Sequence, residues 1–349
     1  MNDFWNGKQV FLTGHTGFKG SWMCRILANW GAYTTGYALE PLSSPNLFSI
    51  SAVDARMDSI IGDIRDREKL LAAFRRAKPE IAIHMAAQPL VRESYREPAE
   101  TYETNVIGTV NIMECLRLVD GVRSFLNVTT DKVYYNNEWQ WGYRETDRLG
   151  GKDPYSNSKS CSELVTNSYM HSFFAAGIPA VSTARAGNVI GGGDFSMDRI
   201  IPDCVRAAIK NEPILVRNPF STRPYQHVLE SLSAYLLIAQ KQYEDASLAN
   251  SYNIGPEDTN CIATGDLAEL FCRVWGDGVS WTTANATGPH EAGYLKLDCS
   301  KIKSLIGWKP QWDIETAVAK TIEWTKAYLQ NDDICAIMDK HIDEYFNWG

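Results

Sequence analysis

The sequence predicts an α/β protein, with a doubly wound parallel sheet in its first part and a smaller, mostly helical lobe in its second. Three observations predict this class. Strand-like apolar runs alternate with helix-length stretches, a glycine-rich turn joins the first strand to the first helix, and the alternation stops near residue 194. Strands and helices in this order form right-handed β-α-β units with helices on both faces of the sheet.

The apolar periodicity divides the first part of the chain into strands and helices. Val10 to Leu12 is a short strand that ends in TGHTGFKG, and the helix SWMCRILANW that follows stops at Gly31. The next predicted elements are the strands YTTGYAL and MDSIIGDI, the helix DREKLLAAFRRA before Pro79, the strand EIAIHMAA, a long helix from Pro98 to Leu118, the strand SFLNVTT, the helix DPYSNSKSCSELVTNSYMHSFFAAG and the strand AVSTARAGNVIG. This order is typical of a Rossmann-like domain.

The pattern changes from about Asp194 onward. Proline, tryptophan and short mixed elements dominate there, with DLAELFCRVWG and IETAVAKTIEWTKAYL as clear helices. Because 349 residues correspond to roughly two domains, we predict a dinucleotide-binding domain over 1–187, to which later parts of the chain return, and a substrate lobe over 188–349. The cleft between them is the expected binding site.

Composition excludes several classes of function. The formal net charge of −8 and the absence of a basic block argue against a nucleic-acid partner. The eight cysteines form no C-x-x-C pair and the six histidines no H-E-x-x-H motif, so we expect reduced thiols and no metal site. No apolar run approaches the roughly 18 residues of a membrane span, and the first residues do not resemble a secretory leader. We therefore expect a cytoplasmic protein without a membrane partner.

The turn after the first strand carries Gly14, Gly17 and Gly20 in G-x-x-G-x-x-G spacing. Without side chains, these residues let the backbone turn tightly and bring N–H groups and a helix N-terminus against a diphosphate. A purely structural turn is the alternative for a lone glycine triplet. Its position between the first strand and the first helix favours a dinucleotide site.

Two acidic residues are candidates for the adenosine end of that dinucleotide. Glu40 closes the second strand at about the distance, roughly 20 residues, at which a carboxylate accepts from a ribose 2′-OH and repels a 2′-phosphate. This favours NAD over NADP, although solvent exposure beside Pro41 explains Glu40 equally well. Asp63 is a candidate acceptor for the adenine amino group, with a helix N-cap as its alternative.

Tyr155 and Lys159 are four residues apart and share a face of a predicted helix. A tyrosine hydroxyl, with a pKa of about 10, is a poor base at neutral pH unless a nearby ammonium group stabilises the phenolate. The pair is therefore a candidate general base and its tuning cation, suited to removing a proton from an alcohol during hydride transfer. A solvated helix face is the alternative for the spacing alone.

The segment TTDK ends the strand SFLNVTT at the sheet edge where doubly wound folds bind ligands. Thr130 is a candidate donor to a substrate oxygen. Asp131 is a proton donor if its pKa is raised, and Lys132 supplies charge or, if neutralised by burial, a base. An ordinary polar turn is the alternative.

Four polar residues further along the chain are candidates for holding a diphosphate. Arg185 and Asn188 accompany the last strand, and Arg217 and Arg223 follow in ILVRNPFSTRPYQHV. Scattered surface arginines are the alternative for each of these arginines taken singly.

Nine motifs taken together resemble a known family: TGHTGFKG, HMAAQPLV, TNVIGT, TTDK, WGYRE, GGKDPYSNSK, RAGNVIGGGDF, RPYQHV and HEAGYLKLDCSK. They are similar to the extended short-chain dehydrogenases/reductases. HTGFKG, TTDK and RPYQHV point within that superfamily to the sugar-nucleotide 4,6-dehydratases, in the group that acts on CDP-glucose. The resemblance runs from Trp5 to about Trp324.

The resemblance implies an internal redox cycle with tightly bound NAD that is regenerated in each turnover. Tyr155, assisted by Lys159 and Thr130, would take the proton of the glucosyl 4-OH as hydride leaves C4. The 4-keto group acidifies the C5 proton, water leaves from C6, and the hydride returns to C6. The expected product is a 4-keto-6-deoxy sugar nucleotide for deoxysugar biosynthesis of the O-antigen type, made by a homodimer or a dimer of dimers.

The resulting site assignments fall into three groups. The expected catalytic residues are Thr130, Asp131, Lys132, Tyr155 and Lys159. The expected cofactor contacts are Gly14, Thr16, Gly17, Phe18, Lys19, Gly20, Asp63, Ile64, Ala86, Ala87, Gln88, Asn105, Thr129, Tyr155 and Lys159. The expected substrate contacts are Gln88, Arg185, Asn188, Arg199, Arg217, Arg223, His227 and His290.

Three positions set this chain apart within the wider family pattern. Dehydratases for other sugar nucleotides carry an acidic residue, the usual C5 base, where this chain has Lys132. Either Lys132 acts as an amine with a depressed pKa, or it anchors the substrate while Asp131 or water handles the protons. Val133 and Tyr225 stand where the CDP-glucose group typically has Cys and Trp, which bears on the base preference.

Three alternative functions use the same cofactor motif. They are a dehydratase for another nucleoside diphosphate hexose, an NAD-dependent sugar-nucleotide 4-epimerase or reductase, and a regulatory NAD-binding protein without activity. Asp131 and Lys132 argue against an epimerase, which needs no acid at C6. The presence of both Tyr155 and Lys159 argues against an inactive protein.

Overall fold

The structure is a computed structural model that describes residues 2–174, 177–284 and 292–347. Its α-helices are α1 Asn2–Trp5, α2 Phe18–Asn29, α3 Leu47–Ile50, α4 Arg67–Ala77, α5 Val91–Arg96, α6 Pro98–Tyr102, α7 Gly108–Leu118, α8 Pro154–Phe173, α9 Ile200–Lys210, α10 Val228–Glu244, α11 Thr264–Trp275, α12 Ser300–Leu305, α13 Ile314–Leu329 and α14 Ile334–Phe346. Its strands are β1 Gln9–Thr13, β2 Tyr33–Ala38, β3 Asp58–Ile61, β4 Ile81–His84, β5 Ser124–Val128, β6 Ala180–Ala186, β7 Val189–Ile190, β8 Ile214–Val216, β9 Thr222–Arg223, β10 Gln226–His227, β11 Ser251–Ile254, β12 Ile262–Ala263 and β13 Trp281–Thr283.

Seven strands form one sheet in the order β11-β6-β5-β4-β1-β2-β3, and every neighbouring pair is parallel. The predicted Rossmann-like, doubly wound class is confirmed. The strand order reverses between β1 and β4, where Thr13 lies opposite His84. Loops that leave the carboxyl ends of these two strands diverge to opposite faces and open a crevice, which is the ligand position of this fold.

Both faces of the sheet are covered by helices. Val10 and Leu12 of β1 join a core cluster that includes residues of α2 and α10, whereas Phe11 joins a second cluster with residues of α4 and α7. Successive strand residues point to opposite faces, so a run that is apolar at every position marks a strand buried on both sides. This explains why strands such as β1 and β4 show no alternation of polar and apolar residues.

The long helix predicted from Pro98 to Leu118 is continuous, because α6, a π-helical turn at Glu103–Ile107 and α7 follow one another with helical dihedral angles. The structure also contains α10, which the sequence analysis did not predict. Residues of α10 from Val228 to Ala239 are almost all buried. A helix buried on all sides has no apolar stripe to reveal it.

The chain returns to the sheet after the second part has begun. Strand β11 pairs with β6, and α10 packs against β5 and β6. Helices α9, α11 and α13 form a separate apolar cluster, accompanied by the short strand pairs β7/β10, β8/β13 and β9/β12. Among the described helices, none is long and apolar enough to span a bilayer.

Candidate active site

A cleft of about 1090 Å³ lies at the carboxyl ends of the sheet strands, between the sheet and the second part of the chain. The glycine turn after β1, the TTDK segment after β5, and Tyr155 and Lys159 of α8 line one side of it. The second part contributes polar residues that include Asn188, Asp194, Arg199, Arg217 and Arg223. Most of the residues singled out in the sequence are thus brought together in one cavity.

The glycine turn is shaped to admit a phosphate group. Gly14 has φ +77°, and a Cβ on it would lie 2.8 Å from the amide nitrogen of Ala86. A Cβ on Gly20 would lie 2.7 Å from the Cα of His15. In contrast, a Cβ on Gly17 would meet only the oxygen of Gly14, at 3.5 Å. Gly17 is the N-cap of α2 and faces open space, so the helix N-terminus is accessible to an anion.

The residues assigned to the adenosine end lie around the carboxyl ends of β2 and β3. Thr16 donates a 2.8 Å hydrogen bond to the carbonyl of Leu39, which closes the glycine turn onto β2. Glu40 and Asp63 both line the cleft. The Asp63 carboxylate accepts from the backbone and the guanidinium of Arg65, which lowers the pKa of Asp63. The N-cap of α4 is Asp66, so that alternative for Asp63 is excluded.

Gln88 and Asn105 support the wall of the cleft from behind. Asn105, in the π-helical turn, is 1% exposed and binds both backbone groups of Gln88, at 2.9 and 3.1 Å, and the Ser158 hydroxyl at 2.9 Å. The Gln88 side chain donates to Thr101 and accepts from the amide of Leu90. Both amide side chains are engaged within the protein, and they fix the loop after β4 against α8.

Tyr155 and Lys159 lie side by side on the cleft face of α8. Lys159 is 4% exposed and its Nζ donates to the main-chain oxygen of Val128 at 3.0 Å. Burial lowers the pKa of Lys159 to about 8, although the negative charge of Glu163 acts to raise it. Burial raises the pKa of Tyr155 to about 12, an effect that the Thr130 side chain and Arg199 oppose. Both residues line the cleft, so a base and a cation able to tune it open into the same cavity.

The TTDK segment forms a short 3-10 turn next to this pair. Thr130 donates to Asp131 Oδ1 at 3.0 Å and caps the turn through the amide of Lys132. Asp131 is 2% exposed, and its Oδ2 has no partner among the described residues. Burial raises the pKa of Asp131, opposed by the charge of Lys132. Asp131 is therefore suited to hold a proton, while the partly exposed Lys132 reaches the cleft.

Thr129 has a different role from its neighbour. Its hydroxyl donates to the carboxylate of Glu163, and it shares the oxygen of Ala184 with its own amide. It lines the cleft, but its polar atoms are used to hold β5 against α8 and β6.

Arg185 is buried in the core, where its guanidinium group binds other protein residues. It is 3% exposed, binds both oxygens of Glu163 at 3.0 and 2.9 Å, and donates to Tyr134 and to the carbonyl of Glu145. Because β6 is buried at every residue, the sequence does not reveal which side its arginine faces. Arg185 does not line the cleft, in contrast to the substrate contact that we expected.

His227 is also a structural residue. It is fully buried, accepts from the amide of Leu229 as the N-cap of α10, and lies against Trp22, Trp312 and His341. It does not line the cleft, so it is removed from the expected substrate contacts. His290 lies outside the described residues.

The remaining arginines of the second part face the cleft. Arg199 pairs with Asp194 at 3.0 Å, Arg217 pairs with Asp198 at 2.8 Å, and Arg223 donates to main-chain oxygens. Arg92 of α5 lies 3.5 Å from the same Asp198 and was not predicted. In the sequence, the only indication that Arg92 belongs to the site is its position directly after the motif HMAAQPLV. These residues bring four guanidinium groups to the cleft, and three of the four are paired with Asp194 or Asp198.

Comparisons with known proteins agree with this geometry. The sequence model of the family described as GDP-mannose 4,6 dehydratase matches residues 11–321. A CDP-glucose 4,6-dehydratase of Salmonella typhimurium is 46% identical, over 99% of this chain and 98% of the relative. A dTDP-glucose 4,6-dehydratase of Xanthomonas campestris is 26% identical over 92% of this chain and 93% of the relative.

Two solved structures confirm the fold at lower identity. The dTDP-glucose 4,6-dehydratase DesIV of Streptomyces venezuelae, with NAD bound, has a TM-score of 0.80 and 23% identity over 93% of this chain and 98% of that structure. A UDP-glucose 4-epimerase of Thermotoga maritima has a TM-score of 0.80 and 22% identity over 92% and 99%. With the family match over most of its length, the chain belongs to the NAD-dependent sugar-nucleotide 4,6-dehydratases of the extended short-chain dehydrogenase/reductase superfamily.

Proposed function

We propose that this enzyme converts CDP-glucose to CDP-4-keto-6-deoxyglucose for deoxysugar biosynthesis. The observation that carries the proposal is the shared cleft of Tyr155 and Lys159 with Asp131 and Lys132. The first pair is suited to oxidise an alcohol, and the second pair adds the acid and base that an elimination requires. The 46% identity to a CDP-glucose 4,6-dehydratase supports the choice of substrate.

The glycine turn fits NAD as the resident cofactor, because the open side of Gly17 and the N-terminus of α2 accept its diphosphate. NAD held there would supply the hydride acceptor for C4 and the hydride donor for C6. Glu40, exposed at the end of β2, is placed to accept from a ribose 2′-OH and to disfavour a 2′-phosphate. The residues of the chain supply binding, orientation and proton transfer.

In the oxidation step, Tyr155 removes the proton of the 4-OH. The hydroxyl of Thr130 orients that 4-OH, and the ammonium of Lys159, fixed to Val128, favours the phenolate form of the tyrosine. Because Tyr155 is only 9% exposed, the proton passes directly between sugar and phenol, without competing bulk water. The 4-keto sugar that results has an acidic proton at C5.

In the elimination step, the two residues that follow Thr130 in the sequence have separate roles. Asp131 is buried with a raised pKa, so it carries a proton that it gives to the departing O6 as water forms. Lys132 is more accessible and lines the same cleft, and we assign it the removal of the C5 proton and its later return. The alternative, in which Lys132 only anchors the substrate, predicts different isotope exchange, as described below.

The substrate diphosphate is held by Arg199, Arg217 and Arg223, with Asn188 beside them. In this assignment, residues 1–187 bind the cofactor and residues 188–349 bind the sugar nucleotide. We also propose a homodimer through the outer faces of α7 and α8, where Leu164 and Phe173 are 59% and 55% exposed. The eight free cysteines favour a reducing compartment, the cytoplasm.

The test is incubation of the enzyme with CDP-glucose and identification of the product by NMR. We expect a 4-keto-6-deoxy sugar nucleotide with no net consumption of NAD. A CDP-hexose inverted at C4 would identify an epimerase, and no reaction would identify a binding protein. UDP-glucose and dTDP-glucose serve as controls, and equal turnover of either would overturn the nucleotide assignment.

A further inference from the structure

A second cavity, of about 570 Å³, lies outside the catalytic cleft. It is lined by residues of three segments, 139–147, 256–258 and 297–303. None of the described residues that line it also lines the catalytic cleft. Tyr143 lies between the two, because its ring centre is 5.2 Å from that of Tyr134 in the catalytic cleft and 5.0 Å from that of Trp139 in the second cavity. The volume is within the range of small-molecule sites.

Part of the lining of the second cavity is an aromatic surface. The rings of Trp139 and Trp141 lie 5.2 Å apart at an interplanar angle of 32°. Trp141 is 64% exposed, so it is held by contact with Trp139 and not by burial in a core. One face of a pyranose ring presents C–H groups, and the face of an aromatic ring attracts them because it carries the negative part of the ring quadrupole.

The rest of the lining is mainly polar, and its side chains are held in place by one another. The Arg144 guanidinium donates to Asp298 at 3.3 Å, and the Asp298 carboxylate also accepts from the amide of Ser300 at 2.8 Å. Lys303 donates to both oxygens of Glu257, each at 2.7 Å. Donors and acceptors thus lie side by side. A hydroxyl group both donates and accepts, so adjacent hydroxyls of a sugar match this arrangement.

The backbone joins the two main walls of the second cavity. The amide of Tyr143 donates to the oxygen of Lys296, and the amide of Asp298 donates to the oxygen of Tyr143, both at 2.9 Å. A Cβ on Gly142 would lie 2.5 Å from the amide nitrogen of Asp298, so only glycine permits this close approach. The tryptophans and the polar wall are therefore held together before any ligand binds, which lowers the entropic cost of binding.

The charges of the second cavity favour an uncharged ligand. Arg144 and Lys303 each pair with a carboxylate of the lining, and Asp258 pairs with Lys296. A phosphate would meet carboxylates and find no free cation among these groups, and an organic cation would have to displace a partner that is already bound. A neutral ligand with hydroxyl groups and one apolar face needs neither exchange.

We propose that the second cavity is a carbohydrate site that binds a neutral hexose, with the sugar ring against Trp141 and its hydroxyls on Arg144 and Asp298. The site takes a sugar without a nucleotide. It is separate from the catalytic cleft and does not depend on the proposed reaction.

The experiment is saturation-transfer NMR on the full-length enzyme, with the methyl α-glycosides of glucose, mannose and galactose as separate probes. We expect binding of at least one of them. Its dissociation constant should rise about tenfold in Trp141→Ala, because the stacking surface is lost. Tyr33→Ala is the matched control, since Tyr33 is 65% exposed and lies outside the second cavity. No binding of any of the three glycosides, or equal affinity in Trp141→Ala and wild type, would overturn the proposal.

Arg144→Gln tests the polar wall independently. The Arg144 side chain is 73% exposed, so the variant should fold, and it should also bind the hexoside more weakly than wild type. Excess CDP-glucose should leave hexoside binding unchanged, whereas displacement would place the hexoside in the catalytic cleft and contradict the inference. Spermidine and glucose 1-phosphate are the charged controls. Tighter binding of either one than of the hexoside, lost in Trp141→Ala, would identify a site for a charged ligand instead.

Discussion

The ammonium of Lys159 donates a 3.0 Å hydrogen bond to the main-chain oxygen of Val128, the last residue of β5. Val128 immediately precedes TTDK, so this bond ties the helix that carries Tyr155 to the loop that carries Asp131. The groups for oxidation and for elimination are consequently held on one rigid unit. A sugar bound once can therefore undergo both steps without leaving the site.

We expect Tyr155→Phe to abolish oxidation at C4. Loss of a general base typically slows a reaction by about 10² to 10⁴-fold, and Phe has no hydroxyl to accept the proton of the 4-OH. The measurement is the rate at which CDP-glucose is consumed, together with NAD affinity, which should be retained. Tyr95→Phe is the matched control, because Tyr95 lines the same cleft but is 47% exposed. Activity of Tyr155→Phe near that of this control would rule out the assignment.

Lys132→Ala and Asp131→Asn should stop the reaction at different points. Without Lys132, the sugar is still oxidised but the C5 proton stays in place. With Asp131→Asn, that proton is still removed, whereas O6 leaves slowly because no acid protonates it. The measurement is solvent deuterium incorporation at C5 together with accumulation of reduced nicotinamide. Lys152→Ala, at an exposed lysine of the cleft, is the control.

Deuterium exchange at C5 that is undiminished in Lys132→Ala would show that Lys132 only anchors the substrate. In that case Asp131 or water is the C5 base, and Asp131→Asn should block exchange if it is the carboxylate. The two variants together therefore decide between the assignments.

Catalysis should decline as pH rises through about 8. The pKa of Lys159 is lowered to about 8 by burial, so above that pH the ammonium that favours the phenolate is lost. The effect of Lys159 on stability has the opposite sign. In the unfolded chain a lysine has a pKa of about 10.4, so between about pH 8 and about pH 10.4 the unfolded chain binds more protons than the native state. The contribution of Lys159 to the free energy of unfolding therefore rises with pH in this range. The measurement is kcat/KM against pH beside denaturation at each pH. Lys159→Arg should shift the alkaline decline upward, and an unchanged profile would contradict the assignment.

Much of the fold was predictable because the parallel strands are short apolar runs separated by helices with recognisable ends. The site was predictable where a motif coincides with the carboxyl end of a strand, as for Gly17 after β1 and Thr130 after β5. Helix α10 was missed because its nearly complete burial removes the periodicity that identifies amphipathic helices. Polar residues next to such motifs were harder to place, because a one-residue change of position along a strand reverses the face.

His227 illustrates this limit. The motif RPYQHV contains both Arg223, which lines the cleft, and His227, which caps a buried helix four residues later. The chain passes from the cleft into the core within that motif. The sequence gives no sign of the crossing, since the tryptophans that surround His227 come from distant segments.

Arg185→Met and Arg217→Met should separate stability from substrate binding. Arg185 and Glu163 form a buried bidentate pair, and removal of one partner leaves an uncompensated buried charge that typically costs about 3–5 kcal/mol of unfolding free energy. Arg217 is about one-third exposed and paired at the cleft mouth, so its loss should change stability by no more than about 0.5 kcal/mol. Affinity for CDP should respond in the opposite order, with about tenfold weaker binding in Arg217→Met and little change in folded Arg185→Met. The measurements are urea denaturation and calorimetric titration with CDP. If Arg185→Met instead bound CDP more weakly and kept the full unfolding free energy, Arg185 would have to be returned to the substrate site. That result would mean that the side chain contributes to nucleotide affinity and that its buried pair with Glu163 contributes nothing to stability.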